Sequence, residues 1–165
     1  MTLTMQARRP ELGLSDTDLA GAAQILNTLL ADEYVLYTKT RNYHWNVTGP
    51  QFNDLHRFFE RQYEQLNEVV DEVAERARSL GTPALGTLNE FSEATRLSEQ
   101  ADVYPDAMTM IANLLDDHEA IIHTLRTDLE TCSESYHDTG TNDFLTGLME
   151  RHEKMAWMLR SFLQR

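Results

Sequence analysis

From Phe52 to Leu80 the chain contains no glycine or proline. Over that run Leu55, Phe58, Phe59, Tyr63, Leu66, Val69, Val70 and Val73 recur at helical spacing until Gly81 interrupts the pattern. A helix this long cannot hide its apolar stripe on its own and must lie against other helices. The rest of the sequence supplies them. Ser15-Asp16-Thr17-Asp18 offers an N-cap with acidic groups in the first turn, and Leu19, Ala22, Ala23, Leu26, Leu29, Leu30, Tyr34 and Tyr37 carry a first helix to about Asn42. Val47-Thr48-Gly49-Pro50 then breaks the chain before the Phe52 helix. A third helix is expected from about Asp106 to Cys132 on Met110, Leu114, Leu115, Ile121, Ile122 and Leu125. After a turn and cap at residues 138–143, a fourth runs from Phe144 to about Phe162, with Met155 and Met158 in its apolar face.

The connections order these helices. Short breaks after the first and third make antiparallel hairpins, whereas roughly 23 residues separate the second from the third. That segment holds Pro83, Gly86 and Pro105 at its edges and has room for a short helix around Leu88–Ala94. An all-α, four-helix bundle with one long crossover is the ferritin-like connectivity. Residues 1–14 read as a flexible tail and 15–165 as one domain.

Charge narrows the partners. Twenty-seven acidic against 14 basic residues give a formal net charge of −13, which repels nucleic-acid phosphates and attracts cations. No stretch approaches the 18 or so consecutive apolar residues of a membrane span. The N-terminal MTLTMQARRPELGLSDTD has no apolar core and is not expected to be a secretory signal. A single cysteine, Cys132, cannot form an internal disulfide and fits a reducing cytoplasm.

The Phe52–Leu80 helix carries two polar pairs at i, i+4, His56/Glu60 and Asp71/Glu75. Each pair stacks on one face, and the eleven residues from Glu60 to Asp71 return to within about 20°, so both pairs share one stripe. Eleven residues also rise about 16 Å, whereas metal–ligand bonds are about 2 Å. One chain therefore cannot close all four groups on one ion. Two copies of this helix, antiparallel about a two-fold axis, can: the His56/Glu60 end of each meets the Asp71/Glu75 end of the other. His44, at the end of the first helix, lies beside the same edge and adds a nitrogen donor. Mixed imidazole and carboxylate donors with open positions suit iron(II), with zinc and manganese as competitors.

The ordered set His44-Trp45-Asn46-Val47-x-Gly49, Leu55-His56, Val70-Asp71-Glu72-Val73-Ala74-Glu75-Arg76 and Leu80-Gly81 resembles the Dps family, the mini-ferritins. The resemblance covers nearly the whole chain. It implies that His44, His56 and Glu60 come from one subunit and Asp71 and Glu75 from its two-fold partner. It also implies a hollow dodecamer in the bacterial cytoplasm that oxidises iron(II) with hydrogen peroxide, or less readily dioxygen, and stores the iron(III) mineral. Many members have Asp where this chain has Glu60; the extra methylene keeps the carboxylate but shifts its reach by about 1.5 Å. In similar proteins the start and middle of the fourth helix line three-fold iron-entry pores, and Asp143 and Glu153 match acidic positions there. Direct DNA binding in the family often uses a lysine-rich terminus. Here residues 1–14 offer only Arg8 and Arg9 against Glu11, and the C-terminus adds Arg165. A DNA-compacting role is the alternative reading, with direct binding expected to be weak or absent.

Other motifs are weaker. His118-Glu119 and His123 imitate a zinc-protease motif, but their five-residue spacing puts the histidines about 140° apart on a helix. Glu134-Ser-Tyr-His137 has the spacing of an intrachain di-iron motif but lies near a helix end and lacks a second copy. His152 reads as a surface residue. Asp138 and Asp143 are explained by capping and solvated charge. Tyr43, Trp45 and Tyr63 read as core aromatics close to the ligands, with a subsidiary electron-donor role as the sharper alternative.

Overall fold

The computed structural model describes residues 10–163, among which every regular element is helical. They are α1 (Asp16–Asn46), α2 (Phe52–Ser79), α3 (Leu88–Ala94), α4 (Ala107–Glu134) and α5 (Thr139–Leu163). α1 pairs along its length with α2, and α4 with α5; α3 rides on α1 within the crossover. The expected four-helix bundle with a crossover helix is what the chain forms. None of these helices is long and apolar enough to cross a membrane. Of the segment expected as a tail, residues 1–9 lie outside the described residues, as does Arg165. Leu14 packs on the core, and Pro10 lies against Gly81, whose φ of +90° is the left-handed C′ conformation that ends α2.

Two helix ends differ from expectation. α1 continues to Asn46, four residues past its expected end, and closes with the Val47 amide donating to the Tyr43 carbonyl at 2.9 Å. No glycine or proline stands between Asn42 and Asn46, so the helix runs on until Val47 turns extended, just ahead of Gly49-Pro50. α5 starts at Thr139 rather than Phe144, because Asp138 caps it: Asp138 Oδ1 accepts the Thr141 amide at 2.9 Å. Asp143 is thus inside the helix, not at its cap. The starts of α1 and α4 are also fixed by caps, whereas Gln51 makes no side-chain cap bond to α2. Ser15 and Asp18 form a reciprocal capping box, and Asp106 accepts the Met108 and Thr109 amides.

Leu26, Leu29, Leu30, Leu36, Leu55, Phe59, Leu66, Met110, Ile111, Leu114, Ile121 and Leu125 are fully buried and fill the space between the helices. Amid them stand Glu33, His118 and His152, also fully buried. The surface position expected for His152 is therefore wrong. His152 falls four residues after Leu148 and three before Met155, both buried, so α5 turns it inward with them.

The crossover is held by two buried polar residues of α1. Asn27 donates to the Pro83 carbonyl and accepts from the Leu85 amide, each at 3.1 Å. Asp32, 1 % exposed, accepts from Thr95 Oγ1 (3.0 Å), the Arg96 amide (2.6 Å) and Arg96 Nε (2.7 Å). Arg96 continues to Asp128 on α4 at 3.2 Å, so one guanidinium joins α1, the crossover and α4. Burial raises the Asp128 carboxyl above its ordinary range, a push that Arg96 opposes. Phe91 of α3 stacks on Tyr34 with centroids 4.3 Å apart and completes the attachment.

Asp32→Ala removes the acceptor from three donors of the crossover. We expect a loss of about 2–3 kcal/mol, since the released Arg96 is part-exposed and regains water while the Thr95 and Arg96 backbone region does not. An unchanged urea-unfolding midpoint would show that the crossover is held by Phe91 and Asn27 alone. Cys132 offers an independent probe of packing. Burial, with Asp138 and Asp128 nearby, pushes its thiol up to about 12, so the reactive thiolate is absent at neutral pH. Iodoacetamide should leave the native protein unmodified for hours at pH 8 and alkylate it rapidly in 8 M urea (about the concentration that unfolds most small domains); rapid native labelling would mean that α4 opens near its C-terminus.

Candidate metal centre

His44 lies in the last turn of α1 and His56 in the second turn of α2, with the Val47–Gln51 turn between them. Their rings stack with centroids 3.8 Å apart and planes 20° from parallel. Each ring also reaches the other residue's main chain. His44 Nδ1 lies 2.7 Å from the His56 carbonyl oxygen, and His56 Nδ1 lies 2.8 Å from the His44 carbonyl oxygen. A carbonyl only accepts, so each Nδ1 carries the proton and donates. Each ring is thereby anchored through Nδ1, which leaves Nε2 as the nitrogen it can offer. This is the arrangement in which proteins present imidazole to a metal: one nitrogen anchored to a carbonyl, the other offered.

The surroundings hold the pair rigidly. Phe52 stacks on His56 at 5.1 Å, and Tyr63 meets His44 edge-on at 5.2 Å. Tyr63 also packs edge-on against Tyr37, and Arg41 sits 5.0–5.5 Å from the rings of Trp45, Tyr63 and Tyr37. Desolvation and then the Glu60 carboxylate raise the Tyr63 phenol above its ordinary value. The reading of Tyr43, Trp45 and Tyr63 as core aromatics needs dividing. Tyr43 is buried and its hydroxyl accepts from Asn113 at 3.0 Å, whereas Trp45 is 63 % exposed. Trp45 follows His44 by one residue, so it projects about 100° further round the helix, toward solvent.

Glu60 is half-buried, one turn beyond His56 on the same face of α2. Asp71 and Glu75 are exposed on the same helix. Because α2 is unbroken from Phe52 to Ser79, the rise of about 16 Å from Glu60 to Asp71 stands as an actual separation. Accordingly, no three His, Cys, Asp or Glu side chains of the described residues converge on one point in this chain. The structure brings His44 and His56 together and keeps Asp71 and Glu75 apart from them.

The suggested pore residues have separate settings. Asp143 is exposed in the second turn of α5, while Glu153 accepts from Arg126 Nη2 at 2.5 Å across α4 and α5. Asp138 is buried and serves structure: it receives Arg76 of α2 at 3.2 Å in addition to capping α5. Sequence reasoning missed Glu33, His118 and Gln62 as interior polar groups. A signal was present. Glu33 lies three residues from Leu30 and Leu36, His118 four after Leu114, and Gln62 four before Leu66, all on buried stripes.

A ferritin-like domain model matches residues 23–165. The chain is 38% identical to DNA protection during starvation protein 2 of Bacillus anthracis, over 85% of this chain and 94% of that one. It belongs to the ferritin-like Dps family. A low-temperature-induced protein of Nostoc sp. is 47% identical over 94% of this chain and 87% of its own length. Among solved Dps structures, that of Vibrio cholerae O1, described as one of the ferritin-like diiron-carboxylate proteins, superposes with a TM-score of 0.87 at 32% identity, covering 96% and 99% of the two chains. Streptomyces coelicolor DpsC reaches a TM-score of 0.92 at 29% identity, over 98% and 96%. The Dps fold therefore extends over nearly all of this chain.

Proposed function

We propose that this Dps-family chain is a ferroxidase and iron store whose metal centres form between subunits. In each centre His44, His56 and Glu60 of one subunit bind iron(II) together with the partner subunit's Asp71 and the partner subunit's Glu75. The observation that carries this reading is the reciprocal His44/His56 clamp, which ties up both Nδ1 atoms and sets two Nε2 atoms side by side without a hydrogen-bond partner among the described residues. Membership of a family whose solved members include a ferritin-like diiron-carboxylate protein supports iron as the metal. Zinc and manganese, which accept the same donors, are expected to compete for the centre.

The chain's own groups set the chemistry. The clamped imidazoles are held in orientation, so binding iron(II) costs little reorganisation. Carboxylates from both sides balance the ion's charge and stabilise its oxidised form. With hydrogen peroxide as oxidant, two iron(II) ions each give one electron, the O–O bond breaks, and two protons complete two waters. No single-electron product is released, so hydroxyl radical formation is suppressed. Oxidised iron then mineralises inside a hollow shell, expected to be a dodecamer, which protects DNA by removing both reactants. Asp143 and Glu153 are proposed to lie on the entry route; Glu153 would first have to part from Arg126.

Anaerobic addition of iron(II) followed by peroxide tests the assignment. His44→Ala/His56→Ala should oxidise iron about 10–100-fold more slowly than the unaltered protein and form less mineral, with the assembled mass unchanged by light scattering. Equal rates and equal mineral cores would overturn it. The same assembled, metal-free protein addresses the rival role of direct DNA compaction. At −13 per chain, a shell of these subunits should leave DNA unshifted in a gel at low salt, with Arg8 and Arg9 too few to reverse the repulsion. Tight binding abolished by deleting residues 1–14 would show instead that two arginines per chain suffice when displayed many times on one particle.

A further inference from the structure

A row of aromatic rings leads away from the histidine pair through the α1–α2 hairpin. Tyr63 of α2 meets His44 edge-on at 5.2 Å, and Tyr37 of α1 meets Tyr63 edge-on at 6.2 Å. Tyr34, one turn earlier on α1, lies 5.9 Å from Tyr37, and Phe91 of α3 stacks on Tyr34 at 4.3 Å. These are the spacings of aromatic rings in contact. The middle ring is pinned, because Arg41 Nη1 donates to the Tyr37 hydroxyl at 2.7 Å. The same guanidinium lies 5.2 Å from the centre of the Tyr63 ring. Neither Tyr43 nor Trp45 makes a ring contact with the row among the described residues; Tyr43 turns its hydroxyl to Asn113, and Trp45 meets Arg41.

The residue type along the row has a chemical consequence. In the neighbouring core, Phe58 and Phe59 are buried against one another at 6.0 Å. Between His44 and Phe91, by contrast, every ring is a tyrosine, and all three are part-exposed. Phenylalanine presents nearly the same packing surface, but only a phenol gives up an electron and a proton under mild oxidation. Phe91 therefore ends the row chemically. Tyr34 is the last ring that can be oxidised, and solvent reaches it.

We propose that Tyr63, Tyr37 and Tyr34 form a one-electron relay that serves a centre holding a single iron(II) and passes the oxidising equivalent to a small diffusible reductant of the ascorbate class. The relay rests on the two-fold centre as read above. Peroxide needs two electrons and two protons to become two waters. A pair of iron(II) ions supplies both electrons, whereas a lone ion supplies one and releases hydroxyl radical. With the relay, the lone ion gives one electron, Tyr63 gives the second with its phenolic proton, and solvent gives the other proton. The O–O bond breaks, leaving iron(III), two waters and a Tyr63 phenoxyl. Tyr37 then passes an electron and a proton to Tyr63, and Tyr34 passes the same to Tyr37. At Tyr34 the ascorbate monoanion gives up one electron and one proton, which restores the phenol and leaves the ascorbyl radical anion. The chain thereby reduces peroxide partly at the expense of an outside donor.

The test uses the assembled, metal-free protein, given iron(II) short of one ion per centre without air and then hydrogen peroxide. Samples frozen at successive times are read by electron paramagnetic resonance, and a spin trap collects released hydroxyl radical. We expect a phenoxyl signal, narrowed when the protein carries ring-deuterated tyrosine, and little trapped radical. Tyr63→Phe, which keeps the ring, should abolish the early signal and raise the trapped radical severalfold. Tyr34→Phe should keep the signal but lengthen its life severalfold when ascorbate is present. Circular dichroism and light scattering check that both variants fold and assemble. Native protein that oxidises iron faster than His44→Ala/His56→Ala yet shows no phenoxyl overturns the relay and leaves the metal centre standing. A signal unmoved by Tyr63→Phe, or ascorbate quenching indifferent to Tyr34→Phe, overturns it as well. Equal oxidation in the native and the His44→Ala/His56→Ala proteins overturns the centre itself, and the relay with it.

Discussion

The corner between α1 and α2 is closed by two hydrogen bonds that cannot form separately from the fold. His44 and His56 each donate to the other's main-chain carbonyl, so the side chain of one helix is tied to the backbone of the next and the reverse. This double tie sets the register of the hairpin. Downstream of it, Tyr37 meets Tyr63, Arg41 settles among three rings, and Glu60 comes up near the Tyr63 phenol. The same bonds fix the ring tautomers. Folding and ligand presentation are therefore one event at this corner. A variant that loses either histidine loses a stabilising contact and a donor together.

Much of this was legible in the chain itself. The apolar periodicity from Phe52 to Leu80 and the cap at Ser15 located the helices, and the long gap before Asp106 gave the crossover. The stripe shared by His56, Glu60, Asp71 and Glu75 was equally readable, because a helix converts sequence spacing into angle and rise without further assumptions. What failed were inferences made residue by residue. Asp138 caps α5 where a turn was expected to continue for five more residues, since an aspartate cap and a loop aspartate look alike until the backbone is known. His152 was assigned to the surface by residue type, although its spacing from Leu148 and Met155 pointed inward. Periodicity outranks polarity when the two disagree.

Interior polar residues fall into two kinds here. Asn27 and Asp32 complete their bonding and hold a crossover that has little apolar mass of its own. Glu33, Gln62 and His118 do not complete theirs. The contrast separates polar residues that hold the architecture from polar residues that keep unbonded atoms in the interior. Both kinds lie on α1 and within a few residues of one another, so helix position alone does not distinguish them.

The unbroken α2 acts as a spacer rod between unlike half-sites. Under the proposed pairing, the donors at its two ends never serve the same centre, and every dimer holds two centres built crosswise. Damage to one end of the rod and damage to the other are then not equivalent to damage in one place. A shell assembled from a mixture of imidazole-deficient and carboxylate-deficient chains contains dimers in which one centre has lost everything and the other is whole. The length of one helix thus converts two inactive alleles into a partly active particle, a form of sharing that a centre enclosed within one chain does not permit.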